Sequence, residues 1–215
     1  MIYITGDIHG DLDALNERKL NGLKKGDKLI VTGDFGFVWD GSKEEQRKLE
    51  KLKKRKYDIL FVEGAHENFE LLHRCPEADL YLGKAYKLAR NIYCLKRGEV
   101  YRIDGKSVFA LGGGRAPYDD STDESPSMPT DDELRYAVDN INRLNRRVDL
   151  IITHEAPASV KRLIDRGAVV NDLNLFLDTV LRNTACGAWY FGSLHRDRKV
   201  SDKLICVFEE VHKAE

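Results

Sequence analysis

Aspartate and histidine recur in this chain where short apolar runs end. Ile2-Tyr3-Ile4-Thr5 is followed by Gly6-Asp7-Ile8-His9, a carboxylate and an imidazole two residues apart on a turn. Leu29-Ile30-Val31-Thr32 is followed by Gly33-Asp34, and Ile59-Leu60-Phe61-Val62 by Glu63 and then Gly64-Ala65-His66-Glu67. His154 follows Leu150-Ile151-Ile152-Thr153, and Gly192-Ser193-Leu194-His195 follows Ala188-Trp189-Tyr190-Phe191. A mixture of carboxylates and imidazoles without a thiolate suits manganese, iron or zinc better than calcium, which prefers oxygen donors alone. Asp7, His9, Asp34, His66, His154 and His195 are therefore candidate metal or catalytic residues. His73 and His212 have no such placement and receive no role.

The elements that must position these residues follow from the same pattern. Each apolar run is long enough for one buried strand, and in open α/β sheets ligands gather beyond the carboxyl ends of the strands. A first helix is expected over Asp11–Leu20, on Leu12, Leu15 and Leu20. Ser42 with Glu45 forms a capping box opening a helix through about Arg55, whose Lys48, Lys51, Lys53, Lys54, Arg55 and Lys56 read as a solvated basic face over a narrow apolar stripe of Leu49 and Leu52. Strand, turn and helix units in succession imply a parallel sheet with right-handed crossovers. A short helix is expected near Phe69–His73. Asn91–Leu95, Val100–Ile103 and Ser107–Leu111 are expected to form a second, more antiparallel sheet. Gly112–Pro129 reads as a long irregular loop, either a lid or a mobile excursion. Thr130 with Glu133 caps a helix buried on Leu134, Val138, Ile141 and Leu144; further helices lie between Pro157 and Gly167 and over Leu173–Leu181; Leu204–Glu209 is the closing strand.

A chain of 215 residues suits one domain, here expected to span 1–215. A net charge of −1 gives no overall pull toward nucleic acid or an anionic membrane. No apolar run approaches the roughly 20 residues of a membrane span, and Met1 leads straight into the first strand without a signal peptide, so the expected location is cytoplasmic. The four cysteines, Cys75, Cys94, Cys186 and Cys206, lie far apart and are expected to be reduced and mostly buried.

Taken together, Gly6-Asp7-Ile8-His9, Gly33-Asp34, Gly64-Ala65-His66-Glu67, Thr153-His154 and Gly192-Ser193-Leu194-His195 resemble, in order and spacing, the calcineurin-like metallophosphoesterase pattern of Asp-x-His, Gly-Asp, Gly-Asn-His-Glu, a lone His and Gly-His-x-His. Gly33-Asp34-Phe35-Gly36, Trp39-Asp40-Gly41 and His66-Glu67-Asn68-Phe69 resemble a compact bacterial and phage branch. The resemblance implies an α/β fold, a four-layer α/β/β/α sandwich with two mixed sheets. It implies hydrolysis of phosphate mono- or diesters by a metal-activated water. Asp7, His9, Asp34 and His195 would hold a first divalent metal, with manganese expected first and iron, zinc or nickel as alternatives. Asp34 would bridge to a second metal also held by His154. His66 would be catalytic, and Glu67 and Asp40 would orient the site. Arg115, or Arg196 and Arg198 after His195, would hold the substrate phosphate. The implied partner is a small-molecule or exposed phosphoester, with neither membrane nor nucleic acid indicated.

Two positions depart from the pattern, and both belong to the second metal. Ala65 stands where the pattern has Asn, and Ser193 where it has the first His of Gly-His-x-His. The first site keeps its ligands and the second is weakened. Three readings account for this: an engineered site, a natural enzyme with one metal or a weak second one, or a degenerate non-catalytic member that binds a metal, nucleotide or partner.

Overall fold

The computed structural model describes residues 1–16, 20, 22–115 and 125–214. The apolar runs form strands buried on both faces, as strands covered by layers on each side must be. Strands β1 (Ile2–Thr5), β2 (Lys28–Val31) and β3 (Asp58–Phe61) pair in parallel, with Ile4 opposite Ile30 and Ile30 opposite Leu60. Thr5, Val31 and Phe61 are therefore level, and the segments carrying Asp7, Asp34 and His66 leave the sheet at one edge.

The second sheet repeats this device. Strands β8 (Lys106–Leu111), β9 (Arg147–Thr153) and β10 (Ala185–Phe191) are parallel, and Leu111, Thr153 and Phe191 are level. His154 and the Gly192–His195 turn leave at that edge too. The first sheet is completed by β4 (Glu77–Leu80), β5 (Gly83–Ala89), β6 (Ile92–Leu95) and β13 (His212–Lys213), in the order β13-β1-β2-β3-β6-β5-β4. The second gains β7 (Glu99–Ile103), β11 (Arg198–Lys199) and β12 (Leu204–Cys206), in the order β11-β12-β10-β9-β8-β7.

Period-2 alternation builds the layers. Ile30 and Leu60 pack between the sheets against Val108, Ala110, Leu150 and Ile152. Their neighbours Leu29, Val31, Ile59 and Phe61 face outward onto Leu52 of α1 (Lys43–Lys53) and Leu72 of α2 (Phe69–His73). On the other side Phe109, Ile151 and Trp189 pack on α3 (Asp131–Arg143), α4 (Ala158–Ile164) and α5 (Asp172–Asn183). The result is two mixed sheets between helical layers, the α/β/β/α sandwich.

Several expectations need correction. Residues 91–95 belong to the first sheet, because β6 pairs in parallel with β3. The second sheet is not the more antiparallel of the two, since its central pairings β8–β9, β9–β10 and β10–β12 are all parallel. The expected closing strand stops at Cys206, and the chain then returns to the first sheet as β13. Strands β4 and β5 carry polar, half-exposed residues and escape the apolar-run criterion. The expected first helix falls partly outside the described residues; positions 12–15 form turns. Of the loop at 112–129, residues 116–124 lie outside them. Among the described residues no helix is long and apolar enough to cross a membrane. All four cysteines are free, with Cys94 and Cys206 buried.

Candidate metal centre

The turns at the shared edge are stitched together by backbone amides. Ile8 and His9 both donate to the Asp34 carbonyl, at 3.1 and 2.7 Å, and Gly192 donates to the His154 carbonyl at 3.1 Å. His9, Asp34, Ser193 and His195 all take positive φ, at 49°, 43°, 59° and 48°. A left-handed backbone at non-glycine residues costs about 1–3 kcal/mol each and persists where the surroundings over-determine it. Asp and His are among the residues that tolerate it best. The adjacent glycines serve close approach instead: a Cβ on Gly64 would collide with the Asp34 carboxylate, and one on Gly192 with that of Asp7.

These turns bring Asp7, His9, Asp34 and His195 together, with one ligand atom from each lying within 4.8 Å of all the others. His195 Nε2 is 3.1 Å from Asp7 Oδ2 and 3.1 Å from His9 Nε2, and His9 Nε2 is 3.8 Å from Asp34 Oδ2. Nitrogen donors on one cation, at bonds of about 2.0–2.1 Å, lie about 2.9–3.4 Å apart. The imidazole pair already has that spacing, and the two carboxylates, 5% and 2% exposed, supply negative charge that water screens little. The donor set fits a divalent metal.

His154 lies behind this set, fully buried. Its Nδ1 is 3.1 Å from the Thr32 carbonyl, which can only accept, so Nδ1 carries the proton and Nε2 is left toward Asp34 Oδ1 at 3.9 Å. A metal-binding histidine is commonly oriented in this way by a backbone carbonyl. Burial opposes ionisation of Asp7, but the charge of His154 and the hydrogen bond from His195 outweigh it, holding the carboxyl at about 2. Burial likewise opposes protonation of His154, yet Asp7 and Asp34 outweigh it and raise its pKa. Asp34 is lowered: burial pushes it up, and His154 and the His66 amide pull it below.

Of the two departing positions, Ala65 offers no donor atom. The Ser193 hydroxyl is 3.4 Å from Glu155 Oε2. That oxygen also accepts from Lys161 Nζ at 2.8 Å and Asn174 Nδ2 at 2.8 Å. The Lys161 ammonium and the Ser193 hydroxyl thus meet at one carboxylate oxygen. No motif signals this buried Glu155–Lys161–Asn174 network, because its members come from the β9 edge and two helices with no shared pattern.

His66 sits at the mouth. Its amide donates to Asp34 Oδ1 at 2.8 Å, and its Nδ1 is 3.0 Å from Asp34 Oδ2. Glu67 turns inward, accepting from Phe35 N at 2.8 Å and, more weakly, from Gly36 N at 3.4 Å, so it anchors the turn that carries Asp34. Burial, above all, raises the Glu67 carboxyl to about 8. Between pH 4.5 and 8 the folded chain then holds a proton that the unfolded chain has lost, so this group makes stability fall as pH rises through that window. In metal-free protein, Glu67→Gln should remove that part of the decline. Melting temperatures at about pH 5 and pH 8 check it, and an equal decline in both proteins would refute it.

The remaining candidates are placed elsewhere. Asp40 does not orient the donor set: its exposed carboxylate accepts from the Ser42 amide at 2.8 Å, shaping the turn before α1. Arg115 is exposed and lines a different cavity, with Thr130 and Asn171 at the starts of α3 and α5. Arg196, next to His195, and Arg198 are exposed. His73 pairs with buried Glu63 at 2.6 Å, a structural contact away from the donor set.

Residues 1–195 match the sequence model of the calcineurin-like phosphoesterase family. Among solved structures, the phosphopantetheinyl hydrolase PptH of Mycobacterium tuberculosis is similar at 18% identity over 96% of this chain and 87% of that one, with a TM-score of 0.46. A protein of unknown function from Aquifex aeolicus, AQ665, is similar at 17% identity over 84% of this chain and 92% of that one, with a TM-score of 0.38. None of the curated proteins matches this chain.

Proposed function

Because the chain belongs to the calcineurin-like phosphoesterase family, we propose that it hydrolyses a phosphate mono- or diester at the Asp7, His9, Asp34 and His195 cluster, with one divalent metal held firmly and a second held weakly. The convergence of those four donors beside an open cavity carries this reading. A divalent metal held by Asp7, His9, Asp34 and His195 would supply charge to the phosphoryl oxygens and an acidified water. Two carboxylates with two imidazoles favour manganese, with iron, zinc and nickel as competitors.

The chain's own residues do the rest. Asp7 and Asp34, kept ionised, give the site its charge. With both ring nitrogens protonated, His66 donates Nδ1–H to Asp34 Oδ2 and gives its Nε2 proton to the departing oxygen. Ser193 N–H, 3.2 Å from Asp7 Oδ2, fixes that carboxylate, and His154 stands ready as a ligand of the weak position.

Hydrolysis of p-nitrophenyl phosphate and bis-p-nitrophenyl phosphate, before and after chelation, tests the reading. Both the metal content and the rate should drop on chelation, and manganese should restore them at one firmly bound equivalent. A chain that binds one equivalent and hydrolyses neither ester is a non-catalytic binding module, and a rate indifferent to chelation overturns the assignment.

A further inference from the structure

We infer that Trp39 is a stacking platform for a planar aromatic or heteroaromatic ring, such as a nucleobase, carried by the leaving group of the substrate. The inference rests on the hydrolytic reading only for the direction in which the leaving group departs.

The two tryptophans of this chain are used in opposite ways. Trp189 is fully buried, whereas Trp39 is 52% exposed. An exposed indole is usually an unpinned one, but the backbone here is fixed from three sides. Glu45 accepts from the amides of Trp39, Asp40 and Gly41. The Trp39 carbonyl accepts from Asn68 Nδ2 at 2.6 Å, and the same Asn68 caps α2 through the Leu71 amide at 3.0 Å. Asn68 is two residues from His66, so platform and proton donor are carried by one rigid corner.

Trp39 lines a cavity of about 570 Å³ together with His9, Gly10, Gly36, Lys48 and His66. Pockets for small ligands commonly measure about 300–1,000 Å³. The carboxylates at the rim are already engaged: Glu45 with three backbone amides, Asp40 with Ser42, and Glu44 with Lys48 at 3.6 Å. Lys48 itself leans on the Gly10 carbonyl at 3.3 Å. Beside His9, His66 and Lys48, the indole offers a ligand its broad apolar face. A phosphoester seated on the donor set with His66 against its departing oxygen projects whatever lies beyond that oxygen into this cavity.

Stacking of one base on an aromatic side chain is worth about 1–3 kcal/mol by alanine substitution, about 5- to 160-fold in affinity. Binding is read without turnover by Trp39 emission, Trp189 giving a buried background. Adenosine 5′-monophosphate should quench it saturably, and ribose 5-phosphate, which lacks the ring, should not. With the manganese-loaded enzyme, Trp39→Ala should lower kcat/KM for adenosine 5′-monophosphate about 5- to 160-fold, mainly through KM. A melting temperature equal to the wild type's shows that the variant folds, and Trp39→Phe should recover most of the loss. Saturable quenching in a chain that hydrolyses nothing upholds the platform and removes the hydrolytic reading. Hydrolysis of adenosine 5′-monophosphate that ignores Trp39→Ala, with no selective quenching, removes the platform and leaves the hydrolytic reading standing.

Discussion

Replacing His66 by alanine should lower turnover about 10²- to 10⁴-fold while the metal stays bound, the range in which a positioned proton donor acts. The donor set does not include His66, and its half-exposed ring fills no core space, so neither metal content nor melting temperature should fall appreciably. The dependence on leaving group then separates two roles. If Nε2 protonates the departing oxygen, an alkyl ester, whose alkoxide leaves poorly, should suffer far more than a p-nitrophenyl ester, whose phenolate leaves unaided. If the ring merely stabilises charge on the phosphoryl group, the two esters should lose equally. Steady-state rates on methyl and p-nitrophenyl phosphate with equal manganese occupancy decide it. Identical wild-type and variant rates on both would mean that His66 is only a turn residue held by Asp34.

Much of this site can be read from the residues because strand ends are legible. An apolar run followed by glycine and a charged side chain marks a β–turn boundary, and parallel register then puts all such boundaries on one edge. Asp7, Asp34, His66, His154 and His195 are thereby expected at strand ends from the residues alone. The depth of His154 behind the four-donor set has no such signal, because it depends on which sheet packs over it. The left-handed backbone shared by His9, Asp34 and His195 has none either, since a dihedral angle leaves no trace in composition. Asp40 departs from expectation for a related reason: a carboxylate near a site in sequence is as readily used up by a local turn, here by the Ser42 amide. Strands β4 and β5 leave no apolar signal because at the edge of a sheet burial is partial and the alternation breaks down. Residues 91–95 form the expected kind of element in the other sheet, since β6 enters by parallel pairing with β3, a long-range choice that local pattern does not encode.

The second large effect follows from the proposal that a second metal is held weakly beside Asp34 and His154. Restoring both departures together, Ala65→Asn with Ser193→His, should raise bound manganese from one toward two equivalents per chain. Changes in groups that merely support ligands alter metal affinity about 10- to 100-fold, so returning two direct ligands should gain at least that much. Histidine is among the better non-glycine residues for the φ of 59° at position 193. The gain has an obstacle that ligand counting overlooks. Lys161 holds an ammonium one carboxylate oxygen away from residue 193, through Glu155, and is only 12% exposed, so its charge opposes a dication with little screening. Removing it alone would leave the Glu155 carboxylate short of a partner in a buried place, so Lys161→Met should destabilise the two-ligand parent chain. Added to the doubly restored variant, the same change should do the opposite: the freed carboxylate can turn toward the cation, and the affinity of the second equivalent should rise further. Metal analysis after gel filtration, with melting temperatures of metal-free and manganese-loaded protein, reads both steps. Stoichiometry that stays at one in the triple variant would mean that Asp34 and His154 do not face a second cation at all.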